Sequence, residues 1–272
     1  MKWDTMNDYL MENEEESFRL DLKTDPDSVC EQAFWAGLQP GMRVADIGCG
    51  SGKTSSILRQ EVGSEGCVVG IDASEQRIKH AQKNYAINGL IFENRDFRQE
   101  LTDLGEFDFI WMRFVLEYFR SNAFEIVSNV TKLLKPGGIL CLIDLDHNCM
   151  NHYGHQPRLE STICDITAHL EENCNFDPYA GRKLYSHMFD LGLENIQAQV
   201  DAHHLIYGEL NGVDEFNWMK KLEIAAQNSG CTFAEYGGSY KDFVADFEQF
   251  FNDTRRFSYT PLILCRGQKP KG

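Results

Sequence analysis

The chain has 272 residues, of which 42% are hydrophobic and 25% charged, and its formal net charge is −16. The length fits one large domain, or one domain with a sizeable insertion, around an ordinary buried core. The acidity argues against a nucleic-acid partner, because binding a phosphate backbone needs clustered lysine and arginine, and no such run occurs. No stretch approaches the ~18 apolar residues that a membrane span needs, so no membrane partner is expected.

The start of the sequence and the cysteines bear on the cellular compartment. The acidic stretch 12–16 lies near the beginning, which is unlike a secretory signal peptide, so a cytoplasmic location is expected. The nine cysteines are an odd number and include no Cys-x-x-Cys pair. Neither a disulfide framework nor a zinc site is therefore predicted.

The first forty residues precede the regular part of the pattern. Residues 1–28 are polar and acidic with scattered aromatic side chains, which predicts one or two helices lying over the main domain. The spacing of apolar residues predicts a helix over 26–39, capped by Asp25 or Asp27 and ended by Pro40-Gly41.

Short apolar strands and helices alternate from residue 43 to residue 144. Strands alternating with helices of this length predict an α/β fold, a doubly wound parallel sheet with helices on both faces. The predicted strands span 43–47, 67–72, 90–94, 107–112 and 139–144, and the predicted helices span 53–62, 74–88 and 124–134.

The alternation breaks after Asp146. The aromatic residues of a mostly helical stretch over 211–252 predict the core of a helical cap over the carboxyl end of the sheet, where it would roof a substrate pocket. The other predicted elements are helices at 157–173 and 178–191 and strands at 195–207 and 259–265.

The turn after the first strand, residues 46–52, reads Asp-Ile-Gly-Cys-Gly-Ser-Gly. Its glycines permit close backbone approach to a ligand. The dinucleotide template fails because position 53 is Lys53 rather than glycine, and the P-loop template fails because its first glycine would fall at Ile47. Asp46 would repel a pyrophosphate but suits a ligand with an ammonium and a sulfonium, while Asp72 is placed to accept both ribose hydroxyls.

Five segments, in order and at family spacing, resemble the motifs of the class I S-adenosylmethionine-dependent methyltransferases. The resemblance covers about residues 40–146 and points to a small-molecule enzyme of a bacterial group. It implies a Rossmann-like, seven-stranded, mostly parallel sheet with an antiparallel last strand, N-terminal helices, and helical insertions after strands five and six that form the cap. The segments are 44–52, 70–74, 94–97, 107–118 and 133–138.

The resemblance implies a division of the chain and a set of cofactor contacts. Residues 1–40 would form a helical cover, 41–146 the cofactor-binding core, and 147–272 the rest of the sheet with the substrate cap. The cofactor would be S-adenosyl-L-methionine and the product S-adenosyl-L-homocysteine. The residues implied to contact it are Asp46, Gly48, Cys49, Gly50, Gly52, Asp72, Ala73, Asp96, Phe97, Met112 and Arg113.

No general base is assigned. Methyl transfer from a sulfonium is an in-line displacement that depends on alignment and desolvation, and it needs a base only where the acceptor loses a proton. His147, Tyr153 and Glu117 are the candidates for catalysis. They belong with a polar stretch that includes Asp144, Asp146, Asn148, His152 and His155, for which a divalent-metal site, a histidine base and a merely hydrogen-bonded loop are open, the last being favoured.

Two further pairs of residues call for a structural test. His203 and His204 adjoin on a strand and should face opposite ways, which argues against a paired metal site. Arg19 and Tyr9 would close over the cofactor, or serve as a surface salt bridge and a packing side chain, which is the favoured interpretation.

The favoured function is methyl transfer to a small-molecule acceptor. The alternatives are a nucleic-acid or protein methyltransferase and a non-catalytic S-adenosylmethionine-binding module. An amino-directed nucleic-acid enzyme would carry Asn/Asp-Pro-Pro-Tyr/Phe after the fourth strand, where this chain has residues 112–115, Met-Arg-Phe-Val. The acceptor atom stays open, as does the choice between monomer and homodimer.

Overall fold

The computed structural model describes residues 16–272, which form nine α-helices and eight strands. The helices are α1 (Glu16–Lys23), α2 (Pro26–Ala36), α3 (Lys53–Glu61), α4 (Glu75–Tyr85), α5 (Ala123–Lys132), α6 (Pro157–Asn173), α7 (Leu184–Asp190), α8 (Gly212–Ser229) and α9 (Tyr240–Asn252). The strands are β1 (Arg43–Ile47), β2 (Cys67–Asp72), β3 (Leu90–Asn94), β4 (Phe107–Arg113), β5 (Leu134–Leu145), β6 (His152–Tyr153), β7 (Glu194–Tyr207) and β8 (Phe257–Gln268).

Local side chains set several helix ends. The Asp25 side chain accepts a hydrogen bond from the Ser28 amide at the start of α2, and Ser74 does the same for Arg77 at the start of α4. The helix α2 ends three residues earlier than predicted because Gly37 adopts a left-handed conformation (φ 100°) and turns the chain before Pro40.

One sheet, in the order β3-β2-β1-β4-β5-β8-β6 with β7 also paired to β8, organises the molecule. The first five strands pair in parallel, and β8 runs antiparallel to its neighbours. The predicted doubly wound, mostly parallel sheet is therefore confirmed. The sheet has eight strands instead of seven because the two residues of β6 pair with Phe257 and Ser258 of β8.

Two hydrophobic layers cover the faces of this sheet. Alternate residues of β4 divide between them: Phe109 and Trp111 face one layer, and Ile110 and Met112 face the other. This period-two alternation is what a strand buried on both faces requires. Because apolar layers cover both faces, polar groups can gather at the carboxyl end of the sheet, where β1, β2 and β4 end.

The helices α6, α8 and α9 pack on one another and form the predicted cap. Their shared core is aromatic, with Trp218 against Phe251 at a ring distance of 5.1 Å and Phe247 stacked on Phe251 at 4.6 Å. Phe243, Phe247, Phe250 and Phe251 of α9 all lie in it, as predicted for the aromatic residues of 211–252. In residues 16–272 no helix has the length and apolar character to span a bilayer.

Candidate cofactor and acceptor site

The glycine loop bends sharply between β1 and α3. The amides of Gly48 and Cys49 donate to the Ile71 carbonyl at 2.8 and 3.0 Å, which ties the loop to β2. At Gly48 φ is 73°, and an added Cβ would lie 2.4 Å from Cγ2 of Val115. Only glycine meets both conditions, because any side chain here would strain the backbone and overlap Val115.

Asp46 lies at the base of the loop with 2% of its surface exposed. The Ser55 hydroxyl donates to its carboxylate at 2.5 Å. Burial, reinforced by the nearby Asp72 carboxylate, raises the pKa of Asp46 to about 7. Arg113 lies close enough to oppose this shift, while burial lowers its own pKa to about 10. This end of the cleft therefore holds a carboxyl that a cationic ligand would ionise.

Asp72 joins the glycine loop to α4. Its Oδ2 accepts the Gly50 amide at 2.9 Å, and its Oδ1 accepts the Ser74 amide at 2.9 Å and the Arg77 guanidinium at 3.0 and 3.2 Å. A carboxylate has about four acceptor positions, so the remaining capacity lies on Oδ2. This arrangement favours one ligand hydroxyl on Asp72 rather than the predicted two.

A cleft of ≈ 440 Å³ opens above these groups. Its volume is in the range of pockets that enclose a small organic molecule. Asp96 also faces it, with its carboxylate already paired to Arg98 at 2.9 Å. Nine of the eleven residues predicted to contact the cofactor line the cleft, namely Asp46, Gly48, Cys49, Gly50, Asp72, Ala73, Asp96, Phe97 and Arg113.

The other two, Met112 and Gly52, do not line it. Met112 points into the opposite hydrophobic layer, and its neighbour Trp111 lines the cleft because adjacent strand residues face opposite ways. Gly52 precedes α3, where an added Cβ would lie 2.6 Å from that of Ala81. The lack of a side chain at position 52 therefore serves the packing of the helices rather than contact with a ligand.

Residues outside the motifs also line the cleft, namely Leu20 and Lys23 of α1 and the segment Cys174–Asn175, together with Tyr118 at the end of the fourth motif segment. A charge pattern on an isolated helix does not indicate what that helix covers, so the sequence offered no signal for the contacts of Leu20 and Lys23. Arg19 is 1% exposed and pairs with Glu16 at 2.7 Å. The surface salt bridge expected for it is thus a buried one, and Tyr9 lies outside the described residues.

The structure does not bring the three candidates for catalysis to the cleft wall. Glu117 is buried, and its Oε2 accepts the Asn148 side chain at 2.5 Å. His147 packs edge-on against Tyr179, with the ring centroids 5.2 Å apart. Tyr153 is 76% exposed. None of the three lines the cleft, so their catalytic role stays a prediction without geometric support.

The polar stretch after β5 is largely occupied by internal contacts. Asp144 accepts the amides of Glu117 and Leu145, and burial next to Glu117 raises its pKa well above the ordinary value. Asp146 is paired with Arg182 at 2.7 Å. The His152 ring nitrogens contact Ser258 Oγ and the Cys149 carbonyl. These contacts support the interpretation as a hydrogen-bonded loop.

The prediction that His203 and His204 face opposite ways is wrong. Their ring centroids lie 3.8 Å apart. The pairing of β7 with β8 shifts register between His203 and Ile206, and His204 has a φ of 50°, so the bulge turns both rings to one side. Within residues 16–272 no three His, Cys, Asp or Glu side chains are grouped so as to hold a metal ion.

The sequence profile of a family described as "methyltransferase domain" matches residues 38–224. The chain belongs to this family. The membership confirms the predicted family and enzyme class, with S-adenosylmethionine as the cofactor. It says nothing of the acceptor.

Curated relatives match parts of the chain. An uncharacterized methyltransferase of Synechocystis is 35% identical over 113 residues, which is 40% of this chain and 49% of that protein. The juvenile hormone acid O-methyltransferase of Bombyx mori is 26% identical over 179 residues, 63% of each chain. The chain therefore spans less than two thirds of the length of these relatives.

A solved structure shares the fold over nearly the whole chain. Phosphoethanolamine N-methyltransferase 2 of Haemonchus contortus, in complex with S-adenosyl-L-methionine, has a TM-score of 0.59 and 13% identity, covering 98% of this chain and 60% of that one. In the present structure the donor set fits the same cofactor. Asp46 and Arg113 offer an anion and a cation at one end of the cleft, matching an amino-acid zwitterion, while Asp72 and Asp96 offer acceptors farther along.

Proposed function

We propose that this chain transfers the methyl group of S-adenosylmethionine to a small-molecule acceptor. The observation that carries the proposal is the cleft of ≈ 440 Å³, which nine of the predicted cofactor residues line and which α1 and residues 174–175 wall in. The cofactor supplies an activated methyl on a sulfonium. The chain's own residues hold, orient and desolvate the reactants.

The division of labour among these residues follows from their positions. Asp46 would hold the ammonium group of the cofactor, and Arg113 its carboxylate. Asp72 would take a ribose hydroxyl through Oδ2, and Asp96 would meet the adenine amino group. Tyr118 and Cys174, on the opposite wall, would exclude water from the methyl-bearing side.

A small acceptor is favoured by the cap and by the charge. The cap packs its aromatic core directly beside the cleft, which leaves room for an enclosed molecule rather than a polymer. The net charge of −16 opposes approach to a nucleic acid. We also propose the division into a cover of residues 1–40, a core of 41–146 and a cap-bearing remainder of 147–272.

Calorimetry tests the cofactor half of this proposal. S-adenosylhomocysteine should bind to the protein, and NAD should not. Asp72→Ala should weaken binding by about 1.5–3 kcal/mol through loss of a buried charged acceptor, whereas the exposed Asp165→Ala in α6 should leave it unchanged. Binding of NAD instead, or equal affinity in both variants, would contradict the assignment.

The acceptor half has a separate test. Incubation with methyl-labelled cofactor and fractionated cell extract should place the label in a low-molecular-weight fraction. Label found in RNA or in protein would overturn the small-molecule assignment while leaving the cofactor assignment intact.

A further inference from the structure

Three basic side chains face the interior between the cleft and the cap. They are Lys23 at the end of α1, Arg113 at the end of β4 and Lys221 in α8. Lys23 and Arg113 line the cleft, and Lys221 lines a separate cavity inside the cap. None of the three makes a hydrogen bond or an ion pair with a residue of the described chain, 16–272.

Aromatic rings hold these cations in place. The Lys23 ammonium lies 4.9 Å from the centroid of the Phe114 ring, and the Arg113 guanidinium lies 4.2 Å from the same centroid. Lys221 lies 5.5 Å from the Trp218 ring. Phe114 has a φ of 59°, a costly conformation for a bulky residue, so the surrounding fold imposes this position.

The nearby carboxylates are already engaged. Glu16 gives both oxygens to Arg19, Glu117 bonds Asn148, and Asp46 bonds Ser55. Burial and the neighbouring charges of Arg19 and Lys221 lower the pKa of Lys23 well below its ordinary value. Burial, followed by the charges of Arg113, Lys221 and Lys23, likewise lowers the pKa of His203 well below its ordinary value, so all three cations act electrostatically on one imidazole. Among residues 16–272, none of these carboxylates is hydrogen-bonded to Lys23, Arg113 or Lys221.

An apolar cavity of ≈ 80 Å³ lies next to Lys221. Tyr118 lines both this cavity and the cleft, and its ring lies 6.1 Å from that of Phe176. Lys221 contributes a positive charge to the wall of this cavity. Most of the other residues on the wall are apolar, among them Ile163, Ile166, Leu170, Phe176, Trp218, Leu222 and Phe247. The cavity therefore suits a modest hydrocarbon body beside a negative charge.

We propose that the acceptor is a carboxylic acid with an apolar body, whose carboxylate lies between Lys23 and Lys221 and whose body enters the cap cavity. The inference rests on the proposed function and adds the acceptor class. The cofactor brings a single carboxylate, for which Arg113 next to Asp46 is the partner, so the two lysines require a second anion. Lys23 and Lys221 are half-buried, and an acidic substrate would neutralise charges that have no ion-pair partner among residues 16–272.

Transfer to a carboxylate needs no general base, which agrees with the position of the candidates Glu117, His147 and Tyr153 outside the cleft wall. An oxygen of the carboxylate forms a bond to the methyl carbon as the carbon–sulfur bond breaks, and the electron pair of that bond stays on sulfur. The negative charge of the carboxylate and the positive charge of the sulfonium cancel, and no proton is released. Glu117 and His152, which are held by other contacts, then need no role in the transfer.

Binding measurements with defined acids test the inference. The probes are hexanoate, phenylacetate and decanoate, each compared with its alcohol and its amine, titrated into protein saturated with S-adenosylhomocysteine. At least one acid should bind more tightly than its alcohol and amine. Lys221→Met and Lys23→Met should each weaken the binding of that acid by about tenfold or more. Substitution of the exposed Lys241 in α9, Lys241→Met, should leave its binding unchanged.

A second readout separates charge recognition from folding. Titration in two buffers of different ionisation enthalpy, repeated at increasing pH, should reveal proton uptake on binding the acid in the pH range where Lys23 loses its proton, because an anion raises the pKa of Lys23; Lys23→Met should abolish the uptake. Acids that bind no better than alcohols, or binding without proton uptake, would overturn the inference. A protein that fails to bind S-adenosylhomocysteine at all would instead overturn the proposed function.

Discussion

The cofactor side of the molecule and the cap are built in different ways. Around the glycine loop, directional bonds over short distances dominate, such as the Gly50 amide on Asp72 and the Ser55 hydroxyl on Asp46. In the cap, α6, α8 and α9 meet through rings such as Trp218, Phe247 and Phe251. Hydrogen bonds of fixed length demand one backbone path, whereas ring packing tolerates changes of side chain.

This difference indicates which part of the molecule sets cofactor affinity and which part sets the choice of acceptor. The loop, β1 and β2 present a fixed set of donors and acceptors, which suits a cofactor that does not vary. The cap cavity is bounded by side chains that can be exchanged without moving the sheet. We therefore expect changes in acceptor to map to α6 and α8, and changes in cofactor affinity to map to residues 46–72.

The largest effect should come from Phe247→Ala in the cap. Phe247 is 2% exposed, and its removal should cost about 3–5 kcal/mol of cap stability. If the two sides are independent, affinity for S-adenosylhomocysteine measured by calorimetry should persist at temperatures where hydrogen exchange shows an open cap. Phe189→Ala, at a 64% exposed position, is the control. Parallel loss of cofactor affinity and cap protection would show that the two sides form one cooperative unit.

A glycine pair sharpens the comparison on the cofactor side. Gly48 and Gly41 both have positive φ, 73° and 83°, but an added Cβ meets Val115 at Gly48 and nothing within 4 Å at Gly41. Gly41→Ala should cost about 1–2 kcal/mol for the left-handed backbone. Gly48→Ala should cost about 1–3 kcal/mol more, through overpacking, and should reduce cofactor affinity. Equal melting temperatures for the two variants would show that Val115 yields freely.

The smallest expected effect is the pH dependence of cofactor binding through Asp46. Its pKa of about 7 means that the carboxyl is half protonated in the free protein at neutral pH. Affinity should rise from about pH 6 to about pH 8, by at most about tenfold per pH unit, because the cofactor ammonium favours the ionised form. Asp46→Asn should reduce this dependence of cofactor affinity on pH. Ionisation of the ligand affects both proteins equally, so it cancels when the variant is compared with the unsubstituted protein.

The effect of rising pH on the stability of the free protein is opposite to its effect on cofactor affinity. Between the ordinary pKa of an aspartic acid and about 7, the folded chain holds a proton on Asp46 that the unfolded chain has lost. This group therefore lowers the stability of the free protein as pH rises through that window. A cofactor affinity that is flat with pH in the unsubstituted protein would show that Asp46 does not meet the ammonium group.

Most of the architecture was predictable from sequence because its signals are local. Strand runs, capping residues such as Ser74 and the glycine loop depend on neighbours a few positions away, and most appear close to their predicted positions, although β5 begins at Leu134 rather than 139 and α7 at Leu184 rather than 178. The errors have identifiable causes. Met112 lies away from the cleft because adjacent strand side chains face opposite ways, and the paired rings of His203 and His204 depend on a bulge that the sequence of β7 does not indicate.

The amino-acid order by itself determined the parallel sheet, the family and most of the residues that line the cleft, since each depends on short-range geometry repeated at strand ends. Only the tertiary structure decided which residues surround the region proposed for the acceptor. Lys23, Tyr118 and Lys221 come from α1, the segment after β4 and α8, and they converge on one interior region because the cap folds back over the sheet. Contacts between residues so far apart in the chain depend on the packing of whole elements, which no local pattern records.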